Sequence, residues 1–128
     1  MTSGDRYKRN YDDLASRNAD LEQMQKNTDA VFLGLAVVYN LRVLPHRDSS
    51  DDPEGFVAMT NIGRYTGGQL IVGTEDTAFK LDYKPRDFVL FNSTLLKHAV
   101  TPFEGTRAAL VFFSHRSVFA CNEAQSRS

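Results

Sequence analysis

Between Ala30 and His115 the chain is cut into eight short apolar segments: AVFLGLAVVYN, LRVLPHR, GFVAMTNI, GQLIVG, AFKL, DFVLFN, KHAVTP and RAALVFFSH. Turn-forming residues punctuate them at Asp51-Asp52-Pro53, Gly67-Gly68, Lys84-Pro85-Arg86 and Glu104-Gly105. Most are too short for a helix and rich in β-branched and aromatic residues, so they read as strands. Several are apolar at both alternating positions, which suits a sheet with one face against a helix and the other lining an interior. Eight short strands after a single helix predict a mainly β chain, a two-sheet sandwich or barrel of jelly-roll type.

The helix is predicted over Asp5 to Lys26. Tyr7, Tyr11, Leu14, Leu21 and Met24 fall on one helical stripe, interrupted by Asn18, and Thr2 or Ser3 can cap its start. A single apolar stripe is expected to cover a sheet face. The expected organisation is a covering helix over 1–29, a β core over 30–119 and a polar tail over 120–128. At 128 residues and 41% hydrophobic, the chain has material for one core. A net charge of -1 provides no general attraction for a polyanion, so any nucleic-acid binding must come from a local site. The lone Cys121 cannot pair within the chain, which fits a reducing, intracellular compartment. No apolar leader region opens the chain, and its longest apolar run, Ala30 to Tyr39, is too short to cross a bilayer.

The polar residues inside this apolar grammar carry the chemistry. On an extended segment residues two apart share a face, so in PHRD the side chains of His46 and Asp48 point the same way, about 6–7 Å apart along the chain. Such a pair grips a metal from one side. His98, from a distant segment, is the natural third ligand. Two imidazoles and one carboxylate on one side of an octahedral ion leave positions open for substrate and oxygen, the arrangement of non-haem Fe(II) sites. With three histidines and 16 acidic residues, an H-x-D pair arises by composition in about one chain in three. The weight therefore falls on what accompanies it.

Arg107 heads the row Arg107, Ala109, Val111, Phe113, His115, all on one face of the last apolar segment. A guanidinium that starts an interior row needs an anion, because burying it unpaired costs several kcal/mol. Its planar fork suits a carboxylate. That anion is either an internal aspartate or the far end of a dicarboxylate that also chelates the metal.

His46-x-Asp48, His98 and Arg107 are together similar to the pattern of Fe(II)/2-oxoglutarate dioxygenases, whose core is a double-stranded β-helix. Tyr65-Thr-Gly-Gly-Gln-Leu70 resembles that superfamily's GG-x-L strand entry, and Lys84-Pro-Arg-Asp-Phe-Val-Leu-Phe91 its P-G-D-x-x-x-F turn and strand. Within the superfamily, PHRD and Thr106-Arg-Ala-Ala-Leu-Val-Phe-Phe-Ser-His-Arg-Ser117 resemble the TET/J-binding-protein group, which oxidises the methyl of 5-methylcytosine or thymine in DNA. The resemblance implies Fe(II) on His46, Asp48 and His98, and 2-oxoglutarate as cosubstrate with Arg107 on its distal carboxylate. It also implies O2 as oxidant and a flipped methylated base stacked on Phe113, with His115 and Asp51 hydrogen-bonding its edge. A nuclear setting follows if the substrate is DNA. The same metal motif also serves oxidation of protein side chains or small molecules, and the same barrel serves as a cupin-like binding module without turnover. A metal-free barrel whose N-terminal helix binds a partner is the remaining alternative. Three departures from the pattern stand out. Arg86 replaces the usual turn glycine, which is expected to alter only turn geometry. Ala109 replaces a serine that commonly bonds the cosubstrate carboxylate. Nothing in 1–28 matches the longer N-terminal region usual in TET-like enzymes, which fits a minimal domain or a fragment.

Overall fold

The computed structural model describes residues 2–127. Two helices come first, α1 (Ser3–Ala15) and α2 (Ala19–Thr28). Seven strands follow: β1 (Gly34–Tyr39), β2 (Val57–Gly67), β3 (Leu70–Gly73), β4 (Ala78–Leu81), β5 (Phe88–Phe91), β6 (Lys97–Val100) and β7 (Phe103–Phe113). A third helix, α3 (Arg116–Ser126), ends the described chain. The strands form an antiparallel sheet in the order β1-β7-β2-β5 and a second in the order β4-β3-β6. They pack as a jelly roll around Val57, Met59, Leu70, Val72, Tyr83 and Val100. Among the described residues no helix is long and apolar enough to cross a membrane.

The N-terminal stripe is two helices rather than one. Thr2 and Asp5 form a capping box that starts α1. Asn18 leaves helical geometry, and its side chain accepts from the amides of Asp20 and Leu21, so it starts α2 instead of continuing α1. These helices also do not lie across a sheet. Tyr7 of α1 stacks on Phe56 and meets the edges of Phe32 and Phe119, and its hydroxyl donates to the Phe56 carbonyl at 3.1 Å. Arg6 pairs with the buried Asp52. The helix thus anchors the loops around Phe32 and 52–56, alongside α2 and α3. The outward face of the larger sheet keeps Leu35, Val37, Tyr39, Ile62, Phe88 and Leu90 exposed.

Three further expectations change. LRVLPHR forms no strand; it runs irregularly beside β6, bonded to it by the His46–His98 bridge and by the Val100 amide on the Val43 carbonyl. The stretch read as a polar tail from 120 continues α3. Glu104-Gly105, read as a break, lies inside β7. There Gly105, at φ 110°, faces Tyr65 of β2, and an added Cβ would collide with the Arg64 carbonyl. β2 and β7 therefore pair over ten positions, Ala58 with Phe112 to Gly67 with Phe103. That long ladder carries Arg107 into the interior.

Candidate active site

His46 and His98 exchange both backbone hydrogen bonds, His46 N–H to His98 O at 3.1 Å and the reverse at 2.9 Å. This bridge sets their rings side by side, with centroids 4.3 Å apart. Each Nδ1 is turned to a carbonyl two residues back, Leu44 for His46 at 2.8 Å and Leu96 for His98 at 3.1 Å. With Nδ1–H donating there, Nε2 is the ring nitrogen that each histidine presents toward Asp48. Asp48 is fixed by its amide on the Ser93 carbonyl. Its carboxylate lies 3.3 Å from His46 Nε2 and 3.4 Å from His98 Nε2. One ligand atom from each of the three falls within 4.8 Å of the others.

Burial works against the Asp48 charge, but the hydrogen bond and charge of His98 outweigh it, and the pKa falls below the ordinary carboxylate value. His98 is the mirror case. Burial favours its neutral form, yet Asp48 and the Leu96 carbonyl win and raise it. Two oriented imidazoles and an ionised carboxylate, converging from one side only, fit a divalent ion of the Fe(II) type with positions left open.

Arg107 is 1% exposed. Asn40, just past β1, clamps its backbone in both directions at 2.8 Å. Its Nη2 donates to Asn61 Oδ1 at 2.7 Å, while Nε has no acceptor. The rings of Tyr65, Tyr83 and Phe103 surround the guanidinium at 5.6–5.8 Å. Among the described residues no carboxylate pairs with it. The internal aspartate, one of the two partners open from sequence, is therefore not there. What remains is a buried cation with a bare donor, fit for a ligand carboxylate.

One cavity of about 470 Å³ joins these groups. Its wall includes His46, Asp48, His98 and Arg107, together with Asp51, Phe113 and His115. Ala36, Val38, Met59 and Val111 supply apolar lining. Of its polar members Arg107 and His98 are buried, while His46 and His115 are open to solvent. The cavity thus runs from a closed, cationic end past the His46-Asp48-His98 cluster to an open end. There the rings of Phe113 and His115 lie 5.0 Å apart at 32°. His115 sits beyond β7, as the residue before α3, and bridges Asp51; its Nε2 lies 3.8 Å from the Asp51 carboxylate. Ser93 donates to Asp51 at 3.0 Å. Burial is the main cause that pushes Asp51 above the ordinary carboxylate value. Gly34 makes room for Phe113, since a Cβ there would stand 2.5 Å from the ring. Ala109 lines the cavity two residues from Arg107 with no hydrogen-bonding group.

Sequence reasoning missed Asn61 and the three rings around Arg107. Asn61 carried a readable signal: it shares parity with Val57 and Met59, so an amide faces inward and needs a partner.

A jelly roll that gathers two imidazoles and a carboxylate beside an unneutralised buried arginine has the architecture of the 2-oxoglutarate-dependent non-haem iron oxygenases. Residues 9–116 match the Tet_JBP family, described as the oxygenase domain of the 2OGFeDO superfamily. The chain belongs to that family. Its fold is similar to that of NgTET1 in complex with 5mC DNA, with TM-score 0.62 and 22% identity over 73% of this chain and 38% of that one. It is also similar to a 2OG-Fe(II) oxygenase family oxidoreductase from Burkholderia pseudomallei, with TM-score 0.51 and 19% identity over 64% of this chain and 45% of that one. The chain thus spans less than half the length of either protein. No curated protein matches it.

Proposed function

We propose that the chain is an Fe(II)/2-oxoglutarate-dependent dioxygenase domain that hydroxylates a C–H bond, with the methyl of 5-methylcytosine or thymine in DNA as substrate. The observation that carries this reading is one shared cavity with a bare buried cation at its closed end, the His46-Asp48-His98 cluster along its wall and an aromatic pair at its mouth. Fe(II), 2-oxoglutarate and O2, when bound, supply oxidative decarboxylation coupled to hydroxylation. The protein's own share is placement. His46, Asp48 and His98 would hold the ion from one side, and Arg107 would hold the distal carboxylate. The apolar lining keeps water from the space between.

The base reading draws on membership of the family and on likeness to a protein solved with 5mC DNA. A base extruded from the duplex would stack on Phe113, a contact of about 1–3 kcal/mol. Asp51 and His115 would meet its edge, in a nuclear setting. With a net charge of -1, DNA binding would be weak and salt-sensitive. The test is mass spectrometry of nucleosides after incubating methylated duplex and single strand with protein, Fe(II) and 2-oxoglutarate, with succinate release followed in parallel. Hydroxymethylated nucleosides support the reading. Succinate release with 5-methylcytosine and thymine untouched assigns the same chemistry to a protein side chain or a small molecule. Absence of both refutes catalysis and leaves a binding module.

A further inference from the structure

We propose that Asn61 is a positioning residue that holds the Arg107 guanidinium as an oriented but unneutralised cation, and so sets the preference for a cosubstrate with a charged distal end. This rests on the reading of Arg107 as the cosubstrate anchor. Both residues lie in the interior, Asn61 at 0% and Arg107 at 1% exposure. A buried guanidinium is most simply satisfied by a carboxylate. Here the acceptor on Nη2 is instead an amide oxygen, at 2.7 Å. The amide is held in that orientation, since its Nδ2 faces the Tyr83 carbonyl at 3.5 Å and its backbone carbonyl accepts from the Arg86 amide at 2.7 Å.

The remaining neighbours follow the same rule. Tyr65, Tyr83 and Phe103 attract a cation through their ring faces without cancelling its charge, and Nε stays without an acceptor. Every contact orients the cation; none neutralises it. An aspartate at position 61 has almost the same shape and would close the gap with an internal ion pair. Such a pair suits a residue whose task is stability, but it would spend the charge the ligand needs.

The experiment uses the full chain loaded with Mn(II) and measures by calorimetry the binding of 2-oxoglutarate and of its distal amide, 2-oxoglutaramate, alongside thermal unfolding without ligand. Asn61→Asp should weaken 2-oxoglutarate by about 30-fold or more, the scale of losing one buried charge pair. It should leave 2-oxoglutaramate within about 3-fold and the unfolding midpoint unchanged or raised, so the ratio between the two ligands collapses. Asn61→Ala, which loosens the guanidinium without neutralising it, should weaken 2-oxoglutarate less and keep most of the ratio. A purely structural role would weaken both ligands together. An unchanged ratio in Asn61→Asp, with Arg107→Leu abolishing selectivity, overturns the role of Asn61 and leaves the anchor standing. If Arg107→Leu also keeps the parent ratio, the anchor reading itself fails.

Discussion

Replacing Arg86 by glycine should stabilise the protein. Lys84-Pro85-Arg86-Asp87 is a turn closed by the Asp87 amide on the Lys84 carbonyl at 3.0 Å, with Arg86 at φ 76°. Proline at the second position and positive φ at the third define a type II turn, which favours glycine at that third position. For a residue with a Cβ, that conformation costs about 1–2 kcal/mol. Glycine removes the cost but loses about 0.5–1 kcal/mol to its greater freedom when unfolded. The exposed Arg86 side chain makes no hydrogen bond or ion pair among the described residues, so nothing else is given up. The net gain is about 0.5–1 kcal/mol, or roughly 2–4 °C in Tm for a domain of this size. The measurement is urea unfolding, with the midpoint raised and the slope unchanged. Arg86→Ala keeps the strain and should gain nothing. Arg86→Pro loses the amide that bonds the Asn61 carbonyl and should fall below the parent. A midpoint for Arg86→Gly at or below that of the parent refutes the strain argument.

Three further outcomes follow from the site. Mn(II) affinity should weaken as pH falls, and begin to do so above the ordinary imidazole value of 6.5, because Asp48 raises His98 and the proton must leave before the ring can ligate; calorimetry showing constant affinity from pH 8 to 5.5 removes His98 from the ligand set. Gly34→Ala should cost about 1–3 kcal/mol by overpacking the Phe113 ring, and Phe113→Leu in the same chain should recover part of it; additive losses in urea unfolding contradict the contact. Asp51→Asn should relax a preference for cytosine over thymine, since an amide offers both a donor and an acceptor where a carboxylate accepts only from the cytosine N4 amine; a 5-methylcytosine to thymine product ratio identical to the parent's excludes Asp51 from base choice.

The parts of this molecule legible from sequence obey a strict local period. His46 with Asp48, and Arg107 with Phe113, are placed by counting in twos along extended chain, and all four line the cavity. Local pattern misleads where tertiary contact overrides it. LRVLPHR has the composition of a strand but runs irregularly, bonded to β6 at Val43 and His46. Asn18 continues a helical stripe by period but ends it by chemistry, because its side chain caps the next helix. Glu104-Gly105 looks like a turn, yet it pairs with Thr66 and Tyr65 in the long β2–β7 ladder.

That ladder also decides the cation end of the cavity. Parity alone places Asn61 inward, but nothing local links it to Arg107, 46 residues on. Register does: Gly63 stands opposite Arg107 and Asn61 opposite Ala109, so the amide is the diagonal neighbour of the guanidinium on the inner face. Gly63 presents no side chain there, and the contact passes to Asn61. Shifting the ladder by one residue would turn Asn61 or Arg107 outward. The anchor therefore depends on the pairing of two eleven-residue strands as much as on the identity of the arginine.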